Sequence, residues 1–159
     1  MKKTVYPMIS LTHIKDEETR NKIRGLIRFL ESMPDIELLR WAFDLDTWMP
    51  KPVENVFRYD NAFTVGADLG IAIYLTGDGS DGRGDEVGSR VRSGRPMIAF
   101  RAEGVRPNKY VDDMLKHFEY PPVQSFTTFV DLESQIRKAL KEVSNSEQLV
   151  LFEQSVAAA

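Results

Sequence analysis

The sequence contains no cysteine and only two histidines, His13 and His117. The lack of cysteine excludes disulfides, thiolate nucleophiles and cysteine-ligated zinc sites, and it fits a reducing compartment. Two histidines far apart in the sequence argue against a histidine-rich metal site. We therefore predict no metal site and no cofactor.

Long hydrophobic runs and a strong net charge are also missing. The formal net charge is −3 and the pI is near 5.5, so no basic field attracts nucleic acid or an anionic membrane. No apolar run approaches the length of a transmembrane helix, and the first residues lack the apolar core of a secretory signal. We expect a cytoplasmic protein without nucleic-acid or membrane partners.

The 159 residues, 42% of them hydrophobic, predict a single domain over 1–159. Apolar runs alternate with helical patterns, which predicts an α/β fold with a doubly wound parallel sheet of about five strands. The predicted strands are 4–11, 36–43, 68–75, 96–100 and 123–130. The predicted helices are 16–33, 54–65, 85–93, 110–118 and 132–143, the last with Asp131 as its N-cap.

Segment 44–53 contains Trp48 and two prolines and is predicted to be an irregular loop that could cover a ligand. Trp41 and Trp48 allow two interpretations. They could stack on a base or a sugar, or they could be core and loop-anchoring residues.

The segment 59–101 reads as an apolar run, a glycine-rich turn, a helix-compatible stretch and a second apolar run. Such a β-loop-α-β unit places its loop at the carboxyl edge of a parallel sheet, where open α/β folds bind ligands. Four glycines in the nine residues 76–84 allow close approach of backbone N–H groups to a ligand, and Ser80 and Arg83 could add phosphate contacts. The loop lacks the Gly-Lys-Ser/Thr of a P-loop. Calcium binding is an alternative for its acidic residues, although the EF-hand spacing is absent.

Glu86 falls in the first turn of the predicted helix 85–93. The helix dipole and backbone donors should hold a carboxylate ionised there, so that it could attack an anomeric carbon. The structural alternative is a first-turn glutamate that only favours helix formation. Asp60 and Asp68 have structural alternatives as well, namely a helix surface charge and a strand-start residue.

The acidic and glycine positions together resemble those of the nucleoside 2-deoxyribosyltransferase family. This family includes a hydrolase branch, the 2'-deoxynucleoside 5'-monophosphate N-glycosidases. The resemblance covers 60–100 and is carried by Asp60, Ala67-Asp68, Ser80, Gly82-Arg83-Gly84-Asp85-Glu86-Val87-Gly88 and Gly94-Arg95-Pro96. It implies a flavodoxin-like (Rossmann-like) parallel sheet.

The resemblance also implies roles for individual residues. Glu86 would attack C1' of the sugar to form a covalent glycosyl-enzyme, Asp60 would protonate or orient the departing base, and Tyr6 would position Glu86. Water or a second base would then complete hydrolysis or transfer. The substrate-binding residues would be Ser10, Asp68, Ser80, Gly82, Arg83 and Gly84.

Ser80 favours a 5'-monophosphate substrate within this resemblance, because the monophosphate hydrolases carry a phosphate-binding serine there. Asp81, Asp85 and Thr12 depart from the phosphate-binding pattern. The family builds its sites at dimer interfaces, which implies a homo-oligomer. Two alternatives stay open: a non-catalytic nucleotide-binding module of the same fold, and an enzyme that cleaves another N-glycosidic bond, such as that of NAD.

Overall fold

The computed structural model describes residues 2–11, 14–41, 43–52, 54–75, 81–106 and 109–145. The strands in these ranges are β1 (Lys3–Ile9), β2 (Ile36–Leu38), β3 (Phe43–Asp44), β4 (Met49–Pro50), β5 (Leu69–Tyr74), β6 (Met97–Ala102) and β7 (Gln124–Phe126). The helices are α1 (Glu17–Ser32), α2 (Val56–Gly66), α3 (Asp81–Arg92), α4 (Lys109–His117) and α5 (Phe129–Asn145). No helix in the described ranges is both long and apolar enough to span a membrane.

Five parallel strands form the main sheet in the order β2-β1-β5-β6-β7, which confirms the predicted doubly wound α/β fold. Helices α1 and α5 contact each other, and α2, α3 and α4 contact one another in succession. The strand order reverses between β1 and β5. In open α/β folds the ligand cleft lies outside the carboxyl ends of the strands at this reversal.

The central strands and α1 form where the apolar pattern predicts them. All six residues of β5 are buried, as expected for a strand covered by helices on both faces. In α1 the buried residues are the four that the helical spacing predicts, Ile23, Leu26, Ile27 and Leu30. The helix begins after Asp16, whose side chain accepts a hydrogen bond of 2.7 Å from the Thr19 N–H.

Segment 44–53 is more ordered than predicted, because β3 and β4 pair as a small antiparallel hairpin. The Asp44 carboxylate accepts a hydrogen bond from the Asp46 N–H and so stabilises the turn. Trp48 adopts a φ of 57° and packs edge-on against Phe43, with the Arg20 guanidinium 5.0 Å from its ring centroid. Both tryptophans are buried, which supports the core interpretation.

The start of α5 differs from the prediction. The helix begins at Phe129, so Asp131 lies inside its first turn and is not the N-cap. The Thr128 hydroxyl accepts from the Asp131 N–H, and the Asp131 carboxylate accepts from the Thr127 N–H. Thr128 therefore performs the capping that the sequence assigned to Asp131. This moves the helix start into the predicted strand 123–130 and shortens β7.

Candidate active site

Two residues that are distant in the sequence meet in the layer between the sheet and the helices. Tyr6 lies in the middle of β1, and its hydroxyl donates a hydrogen bond of 3.0 Å to Oε1 of Glu86 on α3. Tyr6 has no solvent exposure, whereas Glu86 is half-buried. The contact joins a rigid central strand to a carboxylate that retains access to solvent.

The surroundings of Tyr6 keep its hydroxyl protonated. Burial raises the pKa of Tyr6 far above its ordinary value, and the negative charges of Glu86 and Asp60 raise it further. The hydroxyl therefore acts as a hydrogen-bond donor and not as a base. A donated hydrogen bond favours the ionised form of a carboxylate and fixes the direction of its oxygens.

The start of α3 corrects one argument made from the sequence. The helix begins at Asp81, four residues before the predicted start, so Glu86 lies in its second turn. Because dipole effects fall off within the first turn, the helix start no longer explains an ionised Glu86. What the structure adds is the hydrogen bond from Tyr6, which fixes the orientation of the Glu86 carboxylate. Helix propensity is a weak guide here, since α3 includes glycines that the sequence assigned to a loop.

Asp60 reaches the same layer from α2. It is half-buried, and its charge acts on the Tyr6 hydroxyl. The Phe63 ring lies between those of Tyr59 and Tyr6, with centroid distances of 4.7 and 6.3 Å, and packs α2 against β1. The structure thus brings together the three residues predicted to be catalytic: Tyr6, Asp60 and Glu86.

Asp68 precedes β5 and lies at the amino edge of the sheet, where its partner is Thr4 and not Tyr6. One of its carboxylate oxygens accepts hydrogen bonds from the Thr4 N–H (2.7 Å) and the Thr4 hydroxyl (2.8 Å). The Asp68 N–H in turn donates to the Thr4 hydroxyl oxygen. Asp68 therefore ties β5 to β1, which agrees with the strand-start interpretation.

Ser10 follows the carboxyl end of β1, where a ligand of this fold class would bind. Its side chain is 7% exposed, and its hydroxyl has no hydrogen-bond partner among the described residues. Gly82, Arg83 and Gly84 lie in the first turn of α3, of which only the backbone is described. Ser80 lies outside the described residues. Within those residues, no group of three or more carboxylates and histidines could hold a metal ion.

Arg90 was not predicted from the sequence, and it is fully buried one helical turn after Glu86. Its guanidinium donates to the carbonyl oxygens of Thr64 on α2 and of Pro96 before β6. The sequence carries no feature that separates this arginine from the exposed Arg92 nearby, because both end the same helix.

Comparison with known proteins finds solved structures that share this fold. No protein-family description matches the sequence, and no curated protein matches it either. Among solved structures, the CMP N-glycosidase of Clostridium botulinum superposes with a TM-score of 0.61 at 17% identity, over 85% of this chain and 99% of that one. The fold is that of this N-glycosidase. The resemblance predicted from the sequence is thereby confirmed at the level of the fold.

Two further solved structures are similar to this chain. A conserved protein from Enterococcus faecalis V583 has a TM-score of 0.56 at 14% identity, over 87% of this chain and 99% of that one. A 2-deoxyribosyltransferase from Bacillus psychrosaccharolyticus has a TM-score of 0.48 at 20% identity, over 82% and 90% of the two chains.

The hydrogen bonds between Asp68 and Thr4 should contribute to the stability of the protein alone. Replacing Thr4 with valine removes the hydroxyl group and both of its hydrogen bonds to Asp68. The free energy of unfolding should fall by about 1 kcal/mol. Urea titration measures this change. Asp68→Ala should be similarly destabilised, and neither variant should change the affinity of the protein for a ligand. A marked loss of that affinity in Asp68→Ala alone would restore Asp68 as a substrate-binding residue.

The raised pKa of Tyr6 predicts a specific loss of stability in alkali. Above pH 10 the unfolded chain releases the tyrosine proton, whereas the folded protein keeps it, so folding loses about 1.4 kcal/mol per pH unit through this group. The Tyr6→Phe variant has no hydroxyl at this position, so this loss of stability in alkali is absent. The stability gap between wild type and Tyr6→Phe should therefore narrow by about 1 kcal/mol between pH 10 and 11, where the unfolded tyrosine is only partly ionised, and by about 1.4 kcal/mol over the next pH unit. Denaturant titrations at each pH measure the gap.

The exposed Tyr110 provides the matched control for this experiment. Tyr110→Phe should follow the wild-type alkaline profile. The lowered pKa of Arg90, about 10, acts in the opposite direction but is common to all three proteins and cancels in the comparison. Parallel profiles for wild type and Tyr6→Phe would contradict the raised pKa.

Proposed function

We propose that this protein cleaves or transfers the N-glycosidic bond of a (deoxy)nucleoside or its 5'-monophosphate, with Glu86 as the nucleophile. The observation that carries the proposal is the 3.0 Å hydrogen bond from the buried, protonated Tyr6 to Glu86, with Asp60 close enough to act on the same hydroxyl. The fold shared with an N-glycosidase acting on CMP supports this class of reaction.

The first step forms a glycosyl-enzyme. An oxygen of Glu86 forms a bond to C1' as the C1'–N bond breaks, and the electron pair of that bond goes to the base. Asp60 protonates the base nitrogen or orients the base for departure. Tyr6 holds one Glu86 oxygen by hydrogen bonding, which presents the carboxylate in a single orientation.

The second step releases the enzyme. A water molecule attacks C1' and the C1'–Glu86 bond breaks, which returns the carboxylate and yields the free sugar or its 5'-phosphate. The proton from that water passes to Asp60 if Asp60 gave up its own proton in the first step, and otherwise to the base that left as an anion. A second base in place of the water would give transfer.

Ser10 supports a substrate with a polar group near the carboxyl end of β1, since its buried hydroxyl has no hydrogen-bond partner among the described residues and a ligand would supply one. Ser80, Gly82, Arg83 and Gly84 are proposed to bind the phosphate or sugar with it. The homo-oligomer and the cytoplasmic location that the sequence predicts belong to the same proposal. Sedimentation equilibrium measures the first of these.

The direct experiment incubates the protein with deoxynucleosides, ribonucleosides and their 5'-monophosphates, and measures free base by chromatography. We expect release from at least one of them, and reaction with a second base distinguishes transfer from hydrolysis. No release from any compound, under conditions where a known N-glycosidase is active, would refute the proposal. Thermal stabilisation by a nucleotide without release would instead support a non-catalytic nucleotide-binding module.

A further inference from the structure

The guanidinium of Arg90 is buried and hydrogen-bonded to backbone carbonyl groups, and the charge of Asp68 acts on it without forming an ion pair. Arg90 has no solvent exposure, and within the described residues no carboxylate forms an ion pair with it. Its Nη1 donates to the Thr64 carbonyl at 2.5 Å, and its Nε and Nη2 donate to the Pro96 carbonyl at 3.0 and 2.8 Å. A buried charge without a counter-ion is costly, and an apolar residue of similar size is often at least as stabilising. Stability alone therefore does not explain an arginine here.

The sheet leaves room for this side chain at Gly70. A Cβ atom at Gly70 would lie 2.8 Å from Nε of Arg90 and 2.8 Å from Cε of Met8. Such distances are shorter than real Cβ contacts. Because Nε is hydrogen-bonded to Pro96, the guanidinium has little freedom to move aside. The missing side chain at Gly70 thus lets α3 approach β5 with Arg90 between them.

The two carbonyl groups that Arg90 binds belong to different parts of the fold. The Thr64 carbonyl lies in the last turn of α2, where helix carbonyls lack backbone partners and a cation is favoured by the dipole. The Pro96 carbonyl also accepts from the Gly70 N–H at the start of β5. Arg90 therefore joins α3 to the end of α2 and to the start of the central strands.

The connection to α2 leads towards the candidate active site. Arg90 follows Glu86 by four residues, so the two lie one turn apart on the same side of α3. The hydroxyl of Thr64 donates to the Asp60 carbonyl at 2.8 Å. A shift of α3 relative to α2 would therefore change the position of Glu86 relative to both Asp60 and Tyr6.

We propose that Arg90 is a positioning residue that fixes α3 against α2 and so holds Glu86 at the Tyr6 hydroxyl beside Asp60. This inference rests on the proposed function, since it assigns Arg90 to the reaction carried out by those three residues. Arg90 itself acts only through the placement of Glu86.

The test compares Arg90→Met with wild type at a temperature where both are folded. A misplacement of about 1 Å costs roughly 10²-fold in rate, so we expect kcat for base release to fall by about that factor. KM should change by less than about threefold, because the substrate-binding groups remain. Arg90→Lys keeps the charge but loses the fork of donors, and it should recover only part of the rate.

Two neighbours on α3 provide controls. Val91→Ala removes buried methyl groups and lowers stability without touching the guanidinium, and the exposed Arg92→Met removes a charge. Both should keep kcat near that of wild type. If Arg90→Met does not fold, Gly70→Ala tests the same contact by displacing the guanidinium, and kcat should fall again.

A crystal structure of the variant separates this inference from the proposed function. We expect the distance between the Tyr6 hydroxyl and Oε1 of Glu86 to exceed hydrogen-bonding range in Arg90→Met. A wild type without base release would refute the proposed function, yet this distance would still decide whether Arg90 places Glu86. An unchanged distance, or a kcat within about twofold of wild type, would overturn the inference.

Discussion

Glu86→Gln should reduce the rate of base release by at least about 10⁴-fold, since removal of a nucleophile leaves only binding and electrostatic contributions. The amide oxygen of glutamine can still accept the hydrogen bond from Tyr6, so the fold should be retained. Steady-state assays with the best substrate measure the rate, and thermal unfolding measures the stability. Substrate binding should persist, because glutamine has nearly the same volume as glutamate and differs only in lacking the charge.

The matched control for Glu86→Gln is Glu142→Gln, which makes the same chemical change on the exposed surface of α5. Its rate should equal that of wild type. If Glu86→Gln retains more than about a tenth of the wild-type rate, Glu86 is not the nucleophile. Glu86 would then serve only to bind or to stabilise.

Asp60→Asn should slow base release by about 10²- to 10⁴-fold, the range for loss of a general acid. Asparagine cannot donate a proton in the same way, but it can still hydrogen-bond to a base. The loss should be largest for natural bases and should nearly vanish for a substrate whose leaving group needs no proton, such as a nitrophenolate. Comparison of kcat for the two kinds of substrate measures the effect.

The exposed Asp113 on α4 provides the control for Asp60, and Asp113→Asn should behave as wild type. An equal loss with both kinds of substrate would show that Asp60 orients the base and does not protonate it. A wild-type rate for Asp60→Asn would remove Asp60 from the reaction.

Periodic apolar patterns predicted the parts of the fold whose packing depends on local spacing. Helix α1 buries the four residues expected of its apolar face, and β5 is buried throughout. Three residues of the candidate site, Tyr6, Asp60 and Glu86, were also predicted through the family resemblance. A motif records which residue types recur at which spacing, and the sheet order then brings them together.

Other features depend on contacts that leave no local pattern. Asp68 belongs to the same motif as Asp60, yet its carboxylate contacts Thr4 at the amino edge of the sheet. The sequence does not reveal that Arg90 turns inward, because its partners are backbone carbonyl groups of distant segments. The start of α3 was misjudged for a related reason: glycines favour loops in isolation, and tertiary packing overrides that preference.

The covalent step at Glu86 is the central claim, and mass spectrometry of protein quenched in acid during turnover tests it most directly. We expect wild type to carry one additional glycosyl group, and proteolysis should locate it on the peptide that contains Glu86. Glu86→Gln should carry none. Rapid base release by wild type with no adduct on that peptide, or an adduct on another residue, would contradict the account.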